Sequence, residues 1–232
     1  ARIIADALAE KKTYLGELEG NRILEAYGFS VLPTRLATDE TEAVRLAEEI
    51  GYPVVMKIVS SDILHKSDAG GVVVGLNTAD DVRKSFAAIV SRARDYKPDA
   101  AIDGVLVQQM APSGNEVIVG MNRYPVFGPL LMFGYGGIFV EVFKDVSFRL
   151  APIGRNEARR MIRQIKGYKL LEGFRGKPKS DISALEQAMV RLSDMAIAHP
   201  EIKELDINPL LAHPEGQGAT VADCRIILEP SK

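Results

Sequence analysis

Tryptophan is absent from the 232 residues, and cysteine occurs once, at Cys224. A lone cysteine excludes an intrachain disulfide framework and a thiolate-rich zinc site. It fits a reducing compartment, so a cytoplasmic location is expected. Positive charge is not in excess either. The formal net charge is -2, which leaves no global basic field to draw nucleic acid. No apolar run approaches the roughly 20 residues that a membrane-spanning helix needs. The opening Ala1-Arg2-Ile3-Ile4-Ala5-Asp6 lacks the apolar core of a signal peptide. What remains is an ordinary globular composition, 47% hydrophobic and 26% charged, long enough for one large domain or two smaller ones.

Helical and strand periods are interleaved along the chain. Leu18, Ile23, Leu24 and Tyr27 lie near one helical face, with Gly28 placed to stop it. Asp39-Glu40-Thr41-Glu42 has the form of a capping box for a helix over 43–50, with Gly51 as its stop. Thr78 can cap a helix that buries Val82, Phe86, Ile89 and Val90. Strands are expected at 54–59, 72–76, 105–110, 116–121, 130–133, 139–143, 146–150, 204–207 and 220–228, and two further helices at 156–165 and 183–199. Residues 95–103 and 167–179 read as loops. Strands and helices do not alternate strictly, so the fold class is α+β rather than a doubly wound sheet. A soft boundary near Asp103 separates a smaller N-terminal subdomain, roughly 20–103, from a larger one, roughly 104–232.

The most informative stretch is Leu64-His65-Lys66-Ser67-Asp68-Ala69-Gly70-Gly71-Val72, between two strand-like runs. Paired glycines let backbone N–H groups approach an anion closely, so Lys66, Gly70 and Gly71 are candidate phosphate contacts. Lys57, inside the apolar run 54–59, needs a counter-charge, and phosphate supplies one. His65 beside phosphate can act as a base or take the phosphoryl group itself. The competing reading is a tight turn with a solvated histidine. Further along, Glu116, Glu141 and Arg149 interrupt apolar strands, with Arg149 on the face opposite Val146, Phe148 and Leu150. With Lys57 they suit a cleft for a magnesium–phosphate ligand; a solvated sheet face explains each of them singly. Glu204, Asp206 and Asn208 alternate with Leu205 and Ile207, and Asn208 can meet Asp223 across a hairpin. The alternative there is a polar outer face on an edge strand. His199 and His213 sit beside prolines and read as surface residues, and the Met and Phe positions in the strands read as core.

Four motifs in this order resemble an ATP-grasp domain, and more narrowly the β subunits of ADP-forming acetyl-CoA synthetases, relatives of succinyl-CoA synthetase. They are Gly51-Tyr52-Pro53-Val54-Val55-Met56-Lys57; His65 to Val72; Phe127-Gly128-Pro129 with Gly136-Gly137-Ile138-Phe139-Val140-Glu141; and Glu204-Leu205-Asp206-Ile207-Asn208-Pro209-Leu210. The resemblance spans nearly the whole chain and implies an ATP-grasp fold of two subdomains, with the nucleotide held between two sheets. The family makes ATP from ADP, phosphate and an acyl-CoA, releasing the acid and CoA. A CoA-binding α subunit carries the first phosphohistidine, and an α2β2 heterotetramer is the implied assembly, with no nucleic acid and no membrane.

Residue by residue, the resemblance implies that Lys57 contacts nucleotide phosphate. Val107, Gln108, Gln109 and Met110 form the strand beside the adenine, and Glu116 holds the ribose. Asn208 and Asp223 bind Mg2+ with Glu141 nearby, and Arg149 neutralises phosphate charge. His65 departs from the succinyl-CoA synthetase pattern but is a hallmark of the acetyl-CoA synthetase β subunits, where it reads as a second phosphoryl carrier. Asp206 is placed to orient its ring. Two other readings stand beside this one: a carboxylate ligase that needs no partner, and a non-catalytic nucleotide-sensing module.

Overall fold

A computed structural model of the chain describes residues 2–63, 65–136 and 144–229. It divides into two units, Leu32–Ala111 and, around it in sequence, Ala1–Val31 with Pro112–Lys232. The smaller unit therefore keeps the strand that starts at Gly104, which a boundary near Asp103 assigns to the other part.

The larger unit opens with α1 (Arg2–Ala9), β1 (Tyr14–Leu15), α2 (Glu17–Ala26) and β2 (Ser30–Val31). Helix α2 buries Ile23 and Leu24 and stops at Gly28, whose φ of 82° is open to glycine at little cost.

The smaller unit then runs β3 (Thr34–Ala37), α3 (Glu40–Ile50), β4 (Val54–Val59), β5 (Val72–Leu76), α4 (Ala79–Tyr96) and β6 (Gly104–Gln109). Its sheet has the order β3-β6-β4-β5, all antiparallel. Asp39 caps α3 by accepting from the Glu42 N–H at 2.8 Å, an interaction of about 1 kcal/mol. The expected capping box forms only in half, because the Glu42 carboxylate reaches back to Thr38 instead of Asp39. At α4 the box is complete: Thr78 and Asp81 serve each other's backbone N–H. Val82, Ile89 and Ala93 of α4 pack with Met56, Ile58, Val105 and Val107 of the sheet.

The chain returns to the larger unit through β7 (Asn115–Tyr124), β8 (Gly128–Tyr135), β9 (Val146–Leu150), α5 (Arg155–Gln164), α6 (Tyr168–Leu171), α7 (Ile182–Ala198), β10 (Ile202–Ala212), β11 (Ala219–Val221) and β12 (Cys224–Leu228). The expected loop at 167–179 thus contains a short helix, and the expected strand at 220–228 is broken in two. The sheet runs β1-β12-β10-β7-β8-β9, with β11 paired to β10 and, in parallel, to β2. Val117, Val119, Met121, Leu131 and Phe133 turn one face of it toward Met161 and Ile162 of α5 and Met189 and Leu192 of α7. The other face holds the intervening residues of each strand.

No helix among the described residues is long and apolar enough to cross a membrane.

Candidate functional site

In the smaller unit Lys57 lies at the centre of β4, between fully buried Met56 and Ile58, and is itself only 6% exposed. The loop from β4 to β5 is fixed at both ends. At its start Asp62 takes the Ala101 N–H at 2.9 Å and the Lys97 amine at 3.3 Å, and these hold its carboxyl below the usual range. At its end Arg92 donates to the Gly70 carbonyl at 2.8 Å. His65 is exposed between these two anchors.

The glycine pair does something other than offer donors. The Gly70 N–H bonds to Ser67 O at 3.0 Å and the Gly71 N–H to Lys66 O at 2.8 Å, so both close the loop on itself. Gly70 needs its left-handed φ of 59°. At Gly71 a Cβ would lie 2.4 Å from Ile58 Cγ2, so only glycine packs there. Lys66 is half-buried beside them.

At the end of β6 Val107 and Gln108 are buried, and Gln109 and Met110 are exposed. The Gln108 amide turns inward to Thr34 Oγ1 at 2.9 Å. The Gln109 and Met110 N–H groups are taken by Pro33 O and Pro53 O.

In the larger unit the strand registers align Arg225, Asp206, Gly120, Met132 and Phe148 in one row across β12, β10, β7, β8 and β9. All face away from α5 and α7, as does Glu116, four residues before Gly120. Gly120 presents no side chain beside Asp206; a Cβ there would stand 3.7 Å from Asp206 Oδ1. The Asp206 side chain is 22% exposed. Burial lifts its carboxyl above the usual range; Arg225 pulls it down, and Glu204 and Asp223 push it up again. Arg225 and Gly120 were not among the expected site residues. The signal for Arg225 was there, a lone cation two positions after Asp223.

Next to this row β10 changes partner. It pairs with β12 up to Ile207 and with β11 from Leu210, with a register shift between. Pro209 has no N–H to give, and the gap is closed by Asn208 N–H to Asp223 O at 3.1 Å and Ala222 N–H to Pro209 O at 3.0 Å. Asn208 and Asp223 thus do meet across the turn. Their carboxamide and carboxylate oxygens are hard donors that fit Mg2+, which keeps its other positions for water and phosphate. Among the described residues no three of His, Cys, Asp or Glu gather as a metal site. Glu141 lies outside the described residues.

Arg149 does not join this face. It is paired in register with buried Leu131 and so lies on the helix side, where its Nε meets Glu157 at 3.1 Å. Strand β9 is inverted relative to its apolar pattern. Ser147 points inward and donates to Met161 O at 3.0 Å, leaving Phe148 and Leu150 exposed. Met110 is likewise exposed rather than core. His213 is buried, with Nε2 at 2.9 Å from Thr220 Oγ1, and His199 packs edge-on against Tyr27; neither is the surface residue expected.

Residues 6–228 match the family model described as an ATP-grasp domain. The chain is 50% identical over 226 residues to the ADP-forming acetate–CoA ligase I subunit beta of Pyrococcus furiosus, covering 97% of this chain and 96% of that one. It is 46% identical to the ADP-forming acetate–CoA ligase I of Archaeoglobus fulgidus, covering 98% of this chain but 33% of that longer one. Two solved structures of the dinucleotide forming acetyl-coenzyme A synthetase 1 of Ca. Korarchaeum cryptofilum give TM-scores of 0.95 and 0.84 at 45% and 42% identity, each covering 98% of this chain and 99% of that chain. The first is in complex with coenzyme A, Ca-AMPCP and HgCl+. The second is in complex with coenzyme A and Mg-AMPPCP, its phosphohistidine segment pointing towards the nucleotide binding site.

Proposed function

The chain belongs to the ATP-grasp family, among the β subunits of ADP-forming acetate–CoA ligases, and from that membership we propose how its residues divide the work. Such a ligase couples cleavage of an acyl-CoA thioester to formation of ATP from ADP and phosphate, and this chain is its nucleotide-binding part.

His65 carries the phosphoryl group. In the direction of ATP synthesis the N–P bond of phosphorylated His65 breaks, an oxygen of ADP forms the new P–O bond, and neutral imidazole is released. The observation that carries this role is the placement of His65, exposed on a loop tied down at Asp62 and at Gly70. Lys57 and Lys66 answer phosphate charge. Gly70 and Gly71 shape the loop that presents His65. Residues Val107 to Met110 border the base, and Glu116 holds the ribose. Asp206, with its carboxyl raised by burial, accepts an imidazole N–H and fixes the ring for transfer. Asn208 and Asp223 would hold Mg2+, which supplies neutralisation of phosphate charge when bound.

A separate CoA-binding partner completes the enzyme, in an α2β2 assembly. The matching part makes up 33% of the Archaeoglobus relative, which supports a partner that supplies the rest. Exposed Tyr124, Val126, Phe127, Phe148 and Leu150, at the hairpin tip between β7 and β8 and on β9, are the apolar surface we assign to that partner.

The test is intact mass after incubation with Mg-ATP, for wild type and His65→Asn, with and without the partner. An acid-labile gain of one phosphoryl group, absent from the variant, is expected. No gain in wild type with the partner present, despite measured ATP binding, overturns the carrier role.

A further inference from the structure

Where β7 begins and β10 ends, the larger unit holds a cavity of about 200 Å3, lined by Ser113, Asn115, Lys177 and Ser180 with Ala212 and Pro214. The polar lining is one cation, two hydroxyls and an amide, with no carboxylate. Asn115 is locked in place: its Nδ2 donates to Ser180 Oγ at 2.8 Å and its Oδ1 accepts from Tyr135 at 3.0 Å. Ser180, 1% exposed, receives that hydrogen bond, and among the described residues its own O–H is given to no other group. Lys177 has no ion-pair partner among the described residues, whereas Lys179 is held by Glu215.

Two more observations favour an anion. His213 lies behind the wall, 6% exposed, with Nδ1 lacking a partner among the described residues. A Cβ on lining residue Gly114 would stand 3.3 Å from that nitrogen. Of the nine Lys and Arg in the stretch 155–179, Lys177 is the one that lines the cavity, whereas Arg155 and Arg159 are held by Glu186, Arg160 by Glu157 and Lys179 by Glu215. Of the carboxylates next to lining residues in sequence, Asp181 is turned to the N–H groups of Ala184, Gly216 and Gly218 at 3.0 Å each, Glu215 is held by Lys179, and Glu116 points to the opposite face of the sheet.

We infer that this cavity is an anion site that takes a phosphate group, and that it is separate from the face that carries Asp206. Asn115 and Glu116 are adjacent in β7 and so point to opposite faces of the sheet. The cavity is on the side of Asn115, the side covered by helices. Its volume exceeds one phosphate ion, so free phosphate and a small phosphate ester both fit. This inference does not depend on the roles proposed for His65 and Asp206.

The experiment is equilibrium dialysis of the full chain with radiolabelled inorganic phosphate, and in parallel with glycerol phosphate. A saturating non-hydrolysable ATP analogue with magnesium fills the nucleotide site throughout. One saturable equivalent per chain is expected, with a shift of the His213 ring 15N resonances on binding. Lys177→Met, an exposed position, is expected to weaken binding tenfold or more, as loss of a charge-assisted contact does. Ser180→Ala weakens it less. Tighter binding of the ester or of the free ion identifies the source, and either supports the site. Absence of saturable binding, equal affinity in Lys177→Met, or full displacement by chloride at matched ionic strength (an adventitious ion only) overturns it.

Discussion

Arg225 stands opposite Asp206 across β12 and β10, yet it gives its hydrogen bond to Glu204 at 2.7 Å and leaves 3.8 Å to the Asp206 carboxylate. A charge at that distance lowers the pKa of Asp206 without occupying its oxygens. The carboxylate stays available to another donor, while burial holds it above the usual range. That combination suits a group that orients an imidazole.

Asp206→Asn keeps the size and loses the charge. Turnover of the assembled enzyme is expected to fall about 100-fold, the scale of a lost acid–base or orienting partner. The KM for ADP should change less than threefold. Arg225→Met removes the cation that pulls the Asp206 pKa down, so the acid limb of the pH–rate profile moves to higher pH. Unchanged turnover in the first variant, or an unmoved limb in the second, sinks the orienting role.

Gly71 sits where any side chain collides with Ile58. Gly71→Ala should cost about 1–3 kcal/mol in stability through overpacking, and it should slow phosphorylation of His65. Ile58→Leu removes the β-branch methyl that causes the collision, so the double variant should recover part of both losses. Thermal unfolding and intact mass together check this; a double variant as impaired as the sum of the singles argues against it.

Where turn chemistry is explicit, the sequence pattern locates elements closely. Gly51 with Pro53 and the paired Gly70-Gly71 bracket β4 and β5, which run Val54–Val59 and Val72–Leu76 as expected. Alternation alone also placed Asp206 on a polar face. It did not place Arg149, because alternation says which residues share a face and not which face is inside. In β9 the inward residue is Ser147, whose hydroxyl is satisfied by Met161 O, and the apolar side is left out. Nor did the sequence reveal that the Gly70 and Gly71 amides close their own loop, since a Gly-Gly pair serves a turn and an anion nest equally well. The shift at Asn208-Pro209 depends on β10 changing neighbours, a long-range event with no local sign beyond the proline.

Val126 and Phe127 are 83% and 68% exposed at the tip between β7 and β8. Surface of that kind is usually covered. Val126→Asp with Phe127→Ser should leave the melting temperature of the isolated chain within about 2 °C, since surface changes seldom exceed 0.5 kcal/mol. The same pair should weaken association with the CoA-binding partner at least tenfold in sedimentation or calorimetry. Intact association with both changes in place would move the partner surface elsewhere.

Glu186 is buried in α7 and receives both Arg155 at 2.8 Å and Arg159 at 2.7 Å from α5. Burial pushes its carboxyl up, but the hydrogen bonds from Arg159 and Arg155 outweigh that and hold it below the usual range. Both arginines are about half exposed, so water screens part of the attraction. Glu186→Gln should therefore cost about 1–2 kcal/mol rather than the 3–5 of a fully buried pair. For a chain of this length each kcal/mol moves the melting temperature by roughly 2–4 °C. The sign with pH follows from the lowered pKa. Above the unfolded value, about 4.3 for a glutamate, the native carboxylate contributes in full. As pH falls through the folded value, the native side chain protonates and that stability is lost. The gap in melting temperature between wild type and Glu186→Gln should be constant from pH 7 to pH 5 and close below about pH 4. Taking the difference removes the parallel titration of Asp62, Asp81, Glu157 and Asp181, whose carboxyls are also lowered and are present in both proteins. A gap that persists at low pH would mean that the glutamate acts through its shape and packing, not through its charge.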